Sequence, residues 1–153
     1  MAKSMPSTSE LLGTRQRILV TGGAGFIGGA VVRRLLRESD AVVFNLDKMG
    51  YASDLTSIEA VINELGVEHR DRHQLQPIDL CDAEAVQQAV KVADPDLVMH
   101  LAAESHVDRS ISGPGVFIES NVTGTYNLLQ AVRSHFEQLT SERREQFRLH
   151  HIR

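Results

Sequence analysis

Short apolar runs recur along the chain, separated by stretches in which apolar side chains return every third or fourth position. Arg17-Ile18-Leu19-Val20-Thr21 is too brief for a helix and is bounded by Gly22-Gly23, so it predicts a buried strand. A helix follows from about Gly25 to Glu38, with Ile27, Val31 and Leu35 on one face. Ala41 to Leu46 reads as a second strand, and Leu55 to Leu65 as a helix stopped by Gly66. Gln74 to Ile78 reads as a third strand. Asp82 then stands as the N-cap of a helix running to about Val92. Leu97 to Leu101 is a fourth apolar run. Pro114 suits the first turn of a long helix carrying Ile118, Val122, Thr125, Leu129, Val132 and Phe136. The polar stretch Gln138 to Gln146 predicts a loop, Phe147 to Ile152 a fifth strand, and residues 1–15 a mobile tail.

Strands that alternate with helices, joined by connections too long for hairpins, imply right-handed crossovers and a parallel sheet covered on both faces. With the first strand central, the order becomes 3-2-1-4-5. That is a Rossmann-type doubly wound α/β fold over residues 16–153, without its sixth strand.

The chemistry concentrates where strands end. Thr21-Gly22-Gly23-Ala24-Gly25-Phe26-Ile27-Gly28 places glycines 22, 25 and 28 between a strand and a helix. In such a turn the first glycine allows the tight bend, the second lets the backbone approach a pyrophosphate, and the third lets helix and strand pack closely. Asp47 ends the second strand, where an acid accepts the adenosine ribose hydroxyls and repels a 2′-phosphate, which favours NAD over NADP. Its neighbour Lys48 softens that choice. Asp79 and Leu80 end the third strand, beside the expected adenine, although Asp79 equally suits a helix cap. Leu101, Ala102, Ala103, Glu104 and Ser105 end the fourth strand at the switch point where dinucleotides cross the sheet.

With 153 residues and 42% hydrophobic content, the chain suits one globular domain, and no apolar run approaches a membrane span. A single cysteine, Cys81, excludes a disulfide framework and favours a cytoplasmic setting; it reads as a small buried hydrophobe. The formal charge of −4, with 16 acidic against 5 basic side chains between Glu38 and Glu119, argues against nucleic acid as a partner. Arg33, Arg34 and Arg37 read as the solvated face of one helix, and Arg143 and Arg144 as part of an exposed polar stretch. The seven histidines suggest no metal site. Neither tyrosine, Tyr51 or Tyr126, has a lysine four residues later.

Taken with Asn45-Leu46-Asp47-Lys48, the run from Leu101 through Ala103-Glu104-Ser105-His106-Val107-Asp108-Arg109 to Ser110, and Asn121-Val122-Thr123-Gly124-Thr125, the glycine motif resembles the extended short-chain dehydrogenase/reductase family, and its dTDP-glucose 4,6-dehydratases in particular. The resemblance implies that Gly22, Gly25, Phe26, Ile27 and Gly28 line the pyrophosphate and that Asp47, Lys48, Met49 and Gly50 hold the adenosine ribose. It assigns Asp79 and Leu80 to the adenine, Leu101 to Ser105 and Ser120 to the inner half of NAD, and Ser105 also to the sugar. Gly50 and Ser120 stand where the family usually has threonine. Such enzymes take a hydride from C4 of a nucleotide-linked glucose onto NAD+, eliminate water across C5 and C6, and return the hydride to C6. A homodimer is expected of them.

The family's last strand here continues into a Thr-Asp-Glu group, where this chain reads His150-His151-Ile152-Arg153. The expectation is therefore the NAD-binding part of a dehydratase, stopping before the sixth strand and the substrate domain, with no catalysis by the chain alone. A nucleotide-sugar substrate is expected only of a full-length enzyme. Two other readings stay open: a non-catalytic NAD-sensing or partner-binding module, and part of a related sugar-nucleotide epimerase.

Overall fold

A computed structural model describes residues 16–105, 111 and 113–152. The expected tail, the segment His106 to Ser110 and Arg153 lie outside the described residues.

Five parallel strands form one sheet: β1 (Arg17–Thr21), β2 (Val42–Leu46), β3 (His73–Gln76), β4 (Leu97–His100) and β5 (Arg148–His151), in the order β3-β2-β1-β4-β5. The strands are connected by helices α1 (Phe26–Glu38), α2 (Thr56–Leu65) and α3 (Ala83–Ala93), and by a helical segment after β4. The doubly wound arrangement follows from side-chain alternation on strands buried on both faces. Ile18, Val20 and Val43 pack with Val32, Leu35, Leu36, Ile58 and Val61 of α1 and α2 on one face. Leu19, Phe44, Leu46 and Val98 pack on the other with Val86, Val90, Leu128 and Val132.

Several local expectations are corrected. Of the expected stripe on α1, Leu35 is buried and Val31 packs against the same core, beside Val32 and Leu36; Ile27 is instead 63% exposed, in the turn that lines a crevice at the strand ends. The helix from Pro114 is unbroken to Gln138 but not α-helical throughout. It runs as α4 (Pro114–Ile118), a π-helical segment (Glu119–Gly124) and α5 (Thr125–Gln138). The wider i→i+5 turns rotate the face that follows, so Leu128, Ala131 and Val132 are buried while Ile118 and Val122 are 60% and 55% exposed. Residues Ser141–Gln146 form a short helix, α6, rather than a loop: Thr140 accepts the Arg143 amide as its N-cap. Arg143 is not simply solvated; it pairs with Asp94 and Asp96 at 3.0 and 2.8 Å. Cys81 is exposed, not buried. A 3₁₀ segment, Val67–Arg72, precedes β3, and from it Arg72 donates to the carbonyls of Leu36 and Ser39 at the C-terminal end of α1. No helix among the described residues is long and apolar enough to cross a membrane.

Candidate functional site: a crevice at the strand ends

The crevice begins at the turn after β1. Gly22 has a φ of 71° and its amide donates to the Leu46 carbonyl at 2.8 Å. A Cβ on Gly22 would stand 2.8 Å from the Ala102 backbone, and one on Gly28 only 2.0 Å from the Gly22 carbonyl oxygen. The close approach of β1, β4 and α1 therefore demands both glycines. Gly25 differs: a Cβ there meets only the Gly22 oxygen at 3.3 Å and otherwise occupies the crevice. Gly25 is also the N-cap of α1, with no side chain to cap it, and the first turn holds no acid. The amides of Phe26, Ile27 and Gly28 thus lack carbonyl partners within the helix, and the positive end of the helix dipole opens onto the crevice. Unpaired amides and a helix dipole in this arrangement are suited to an anion such as a phosphate.

The cavity has a volume of about 410 Å³, which suits a small-molecule ligand. Every residue expected at the cofactor borders it except Met49. Met49 is in the left-handed region with a φ of 56°, and its amide donates to Asp47 Oδ1 at 2.8 Å. Its part is to shape the turn after β2. Asp79 and Leu80 enter from the end of β3, and Asp79 Oδ1 accepts the Cys81 amide at 2.9 Å. The cap of α3 is instead Asp82, which accepts from Ala85 at 3.0 Å. Leu101 to Ser105 and Ser120 close the other side.

Asp47 is almost fully buried, and its carboxylate accepts three bonds: from the Ala24 amide at 3.0 Å, the Met49 amide at 2.8 Å and the Ser53 hydroxyl at 2.7 Å. An ionised carboxylate has about four acceptor positions, so Asp47 braces the walls and retains capacity for a ligand hydroxyl. Across the mouth, Lys48 Nζ donates to Glu104 Oε1 at 2.9 Å, and that bond holds the Lys48 pKa above its usual value. Glu104 is itself fixed by Asn121, which accepts its amide at 2.8 Å and donates to its carbonyl at 2.9 Å.

The residues that sequence reasoning missed lie beneath and beside these. Thr21 Oγ1 lies 2.6 Å from His100 Nδ1 and accepts the Ala102 amide at 3.2 Å, while His100 Nε2 lies 3.0 Å from Thr125 Oγ1. This buried chain ties β1, β4 and α5 together under the crevice floor. Tyr51, Ala52, Ser53 and Ile78 also line the cavity. The signals for Thr21 and Thr125 were visible, as hydroxyls ending a strand and following Gly124, but their convergence on one histidine was not.

Other chemistry is weaker. Desolvation, then hydrogen bonding to Asp79, raises the Cys81 thiol pKa, opposite to what a nucleophile needs. His69 and His73 stand four residues apart, yet the first lies in a 3₁₀ segment and the second begins β3, so the spacing is not that of one α-helical face. Among the described residues, no group of three His, Cys, Asp or Glu side chains is placed to hold a metal ion.

Comparison with known proteins agrees with this architecture. The family model described as GDP-mannose 4,6 dehydratase matches residues 19–152. A dTDP-glucose 4,6-dehydratase of Neisseria meningitidis is 47% identical over 137 residues, covering 90% of this chain and 37% of that protein. The solved dTDP-glucose 4,6-dehydratase of Streptomyces venezuelae, with NAD bound, is 39% identical with a TM-score of 0.66, over 78% of this chain and 36% of that one. A UDP-glucose 4-epimerase of Stenotrophomonas maltophila, also with NAD bound, is 26% identical with a TM-score of 0.67, over 79% and 34%. The chain thus spans little more than a third of the length of the relatives it matches. Its match to the family model across nearly all of the described residues makes it a member of the GDP-mannose 4,6 dehydratase family, similar within it to the dTDP-glucose 4,6-dehydratases.

Proposed function

We propose that this chain binds NAD in the crevice and serves as the cofactor-holding part of a nucleotide-sugar 4,6-dehydratase. The observation that carries this reading is the cradle at Gly25: an uncapped helix N-terminus, a glycine whose missing Cβ leaves room for a phosphate, and a buried acid at the end of the adjacent strand. The Phe26, Ile27 and Gly28 amides would hold the pyrophosphate. Asp47 would accept from the adenosine ribose, Asp79 and Leu80 would flank the adenine, and Leu101 to Ser105 with Ser120 would face the nicotinamide half. When bound there, NAD supplies a hydride acceptor.

The chain's own residues bind and orient. Neither tyrosine has a lysine one helical turn on, and the carboxylates that border the crevice, Asp47, Asp79 and Glu104, are engaged in hydrogen bonds. Elimination of water from dTDP-glucose therefore needs groups beyond those that line this crevice. Ser105, which lines the crevice, would also face the sugar. A cytoplasmic homodimer completes the reading. The lone cysteine and the exposed Ile118, Val122, Tyr126 and Leu129 side chains support it, and sedimentation velocity tests it.

The binding test is titration of the purified chain with NADH, followed by cofactor fluorescence. Saturable one-to-one binding is the expected result. Absence of any binding would refute the proposal, and formation of a 4-keto-6-deoxy product by this chain alone would refute its non-catalytic part.

A further inference from the structure

Four charged side chains border the crevice: Asp47, Asp79, Glu104 and Lys48. Lys48 is thus the only cation lining it among the described residues, and it is already committed. Its Nζ lies 2.9 Å from Glu104 Oε1, across the end of the intervening β1, since β2 and β4 are the two neighbours of that strand. The partners are unequal. The Glu104 side chain is 14% exposed and its backbone is clamped by Asn121 through two hydrogen bonds, whereas Lys48 is 38% exposed on a flexible stem. Glu104 is the fixed partner, and Lys48 is drawn to it.

The position of that ammonium matters because Lys48 follows Asp47, the acid placed for the adenosine ribose. A 2′-phosphate adds about −1.5 to −2 charge at this point. It would meet the Asp47 carboxylate and would need a cation to offset the repulsion, the part an arginine plays in NADP-binding crevices. Among the described residues that line the crevice, Lys48 is the cation available to supply it.

We propose that Glu104 is a specificity-determining residue: by engaging Lys48 it withholds the crevice's cation from a 2′-phosphate and so enforces preference for NAD over NADP. Asp47 repels the phosphate directly; Glu104 acts through Lys48. The inference rests on the proposed binding of a dinucleotide in this crevice.

A double-mutant cycle on the 153-residue chain tests it, with NADH and NADPH as the titrants and fluorescence as the readout. The wild-type chain is expected to prefer NADH. Glu104→Gln keeps the shape and the backbone clamp but releases the ammonium, and should shift the ratio of dissociation constants toward NADPH by about tenfold, the scale of one charge-assisted hydrogen bond. Lys48→Gln alone should move the ratio by less than about twofold, because that lysine is already withheld. In the Glu104→Gln background it should abolish the gain. A ratio unchanged by Glu104→Gln, or a shift that survives loss of Lys48, would overturn the inference while leaving the binding proposal standing. A wild-type chain that binds neither dinucleotide would overturn the binding proposal itself, and this inference with it. Circular dichroism establishes that each variant is folded, and the Lys48→Gln arm is decisive on its own: a large loss of NADPH affinity there would show that the lysine was never withheld.

Discussion

Oδ2 of Asp47 accepts the backbone N–H of Ala24 at 3.0 Å, so the acid that ends β2 also holds the glycine turn that follows β1. The residue proposed to receive a ribose is therefore part of the wall that shapes the glycine turn, so on that proposal binding and local stability share one carboxylate.

Asp47→Asn should separate a charge effect from a shape effect poorly and a bonding effect well. Met49 and Ser53 share Oδ1, while Ala24 uses Oδ2. With the amide oxygen kept toward the first two, the new NH₂ faces the Ala24 N–H, donor against donor. The expected cost is about 1–3 kcal/mol in urea unfolding, together with weakened NADH binding. Unchanged stability would show that the Ala24 bond contributes nothing.

Gly25 and Gly28 should respond in opposite ways to the same added methyl group. Gly25→Ala has room in the fold and a φ of −80°, so its stability should change by less than about 1 kcal/mol while NADH affinity drops. Gly28→Ala drives a Cβ into the Gly22 carbonyl, and should destabilise by about 1–3 kcal/mol or more. Thermal unfolding and NADH titration, run side by side, distinguish the two.

Arg143 lies at the other end of the strands. Its guanidinium bonds Asp94 and Asp96, fastening α6 to the turn before β4. Because the side chain is 36% exposed, solvent screening limits its worth. Arg143→Met should cost about 1–2 kcal/mol in chemical unfolding and leave the NADH dissociation constant unchanged.

His73 gives the fold a pH dependence. Burial lowers its pKa from the ordinary value of 6.5, with Glu59 opposing the shift, and its Nε2 lies 3.2 Å from Asn45 Nδ2. A depressed folded-state pKa means the unfolded chain takes up the proton first, so stability is fully present above pH 6.5 and is lost as pH falls toward the lower folded value. Urea unfolding between pH 5 and about 7.5 should show this slope, and His73→Gln should flatten it. Equal slopes in the two proteins would exclude His73 as the source.

The strands and the glycine turn were legible because both depend on short-range pattern, whereas the strand order followed only once the first strand was taken as central. A strand buried on both faces is a continuous apolar run, and a turn needing a positive φ or an absent Cβ takes glycine. The π segment at Glu119–Gly124 was not legible, since an i→i+5 bond imposes no residue signature and the apolar spacing on either side looked continuous. Helix α6 escaped as well. Ser141-Glu142-Arg143-Arg144-Glu145-Gln146 has no apolar face, and what anchors it is the Thr140 cap and the Arg143 bonds to Asp94 and Asp96, some fifty residues earlier in the chain. Cys81 was misread because its residue type favours burial, whereas it lies exposed in the turn between β3 and α3.

The sequence by itself determined a doubly wound sheet, a dinucleotide-type turn and an acid at the neighbouring strand end, because each is written in residues adjacent along the chain. Only the tertiary structure decided which side chains answer one another: Thr21 with His100 and Thr125, Asp47 with Ala24 and Ser53, and Lys48 with Glu104. Lys48 and Glu104 are 56 residues apart and meet only because parallel strands bring their C-terminal ends to one edge. Local propensity can specify a strand and its end. Which charge stands opposite is set by the packing of the whole sheet.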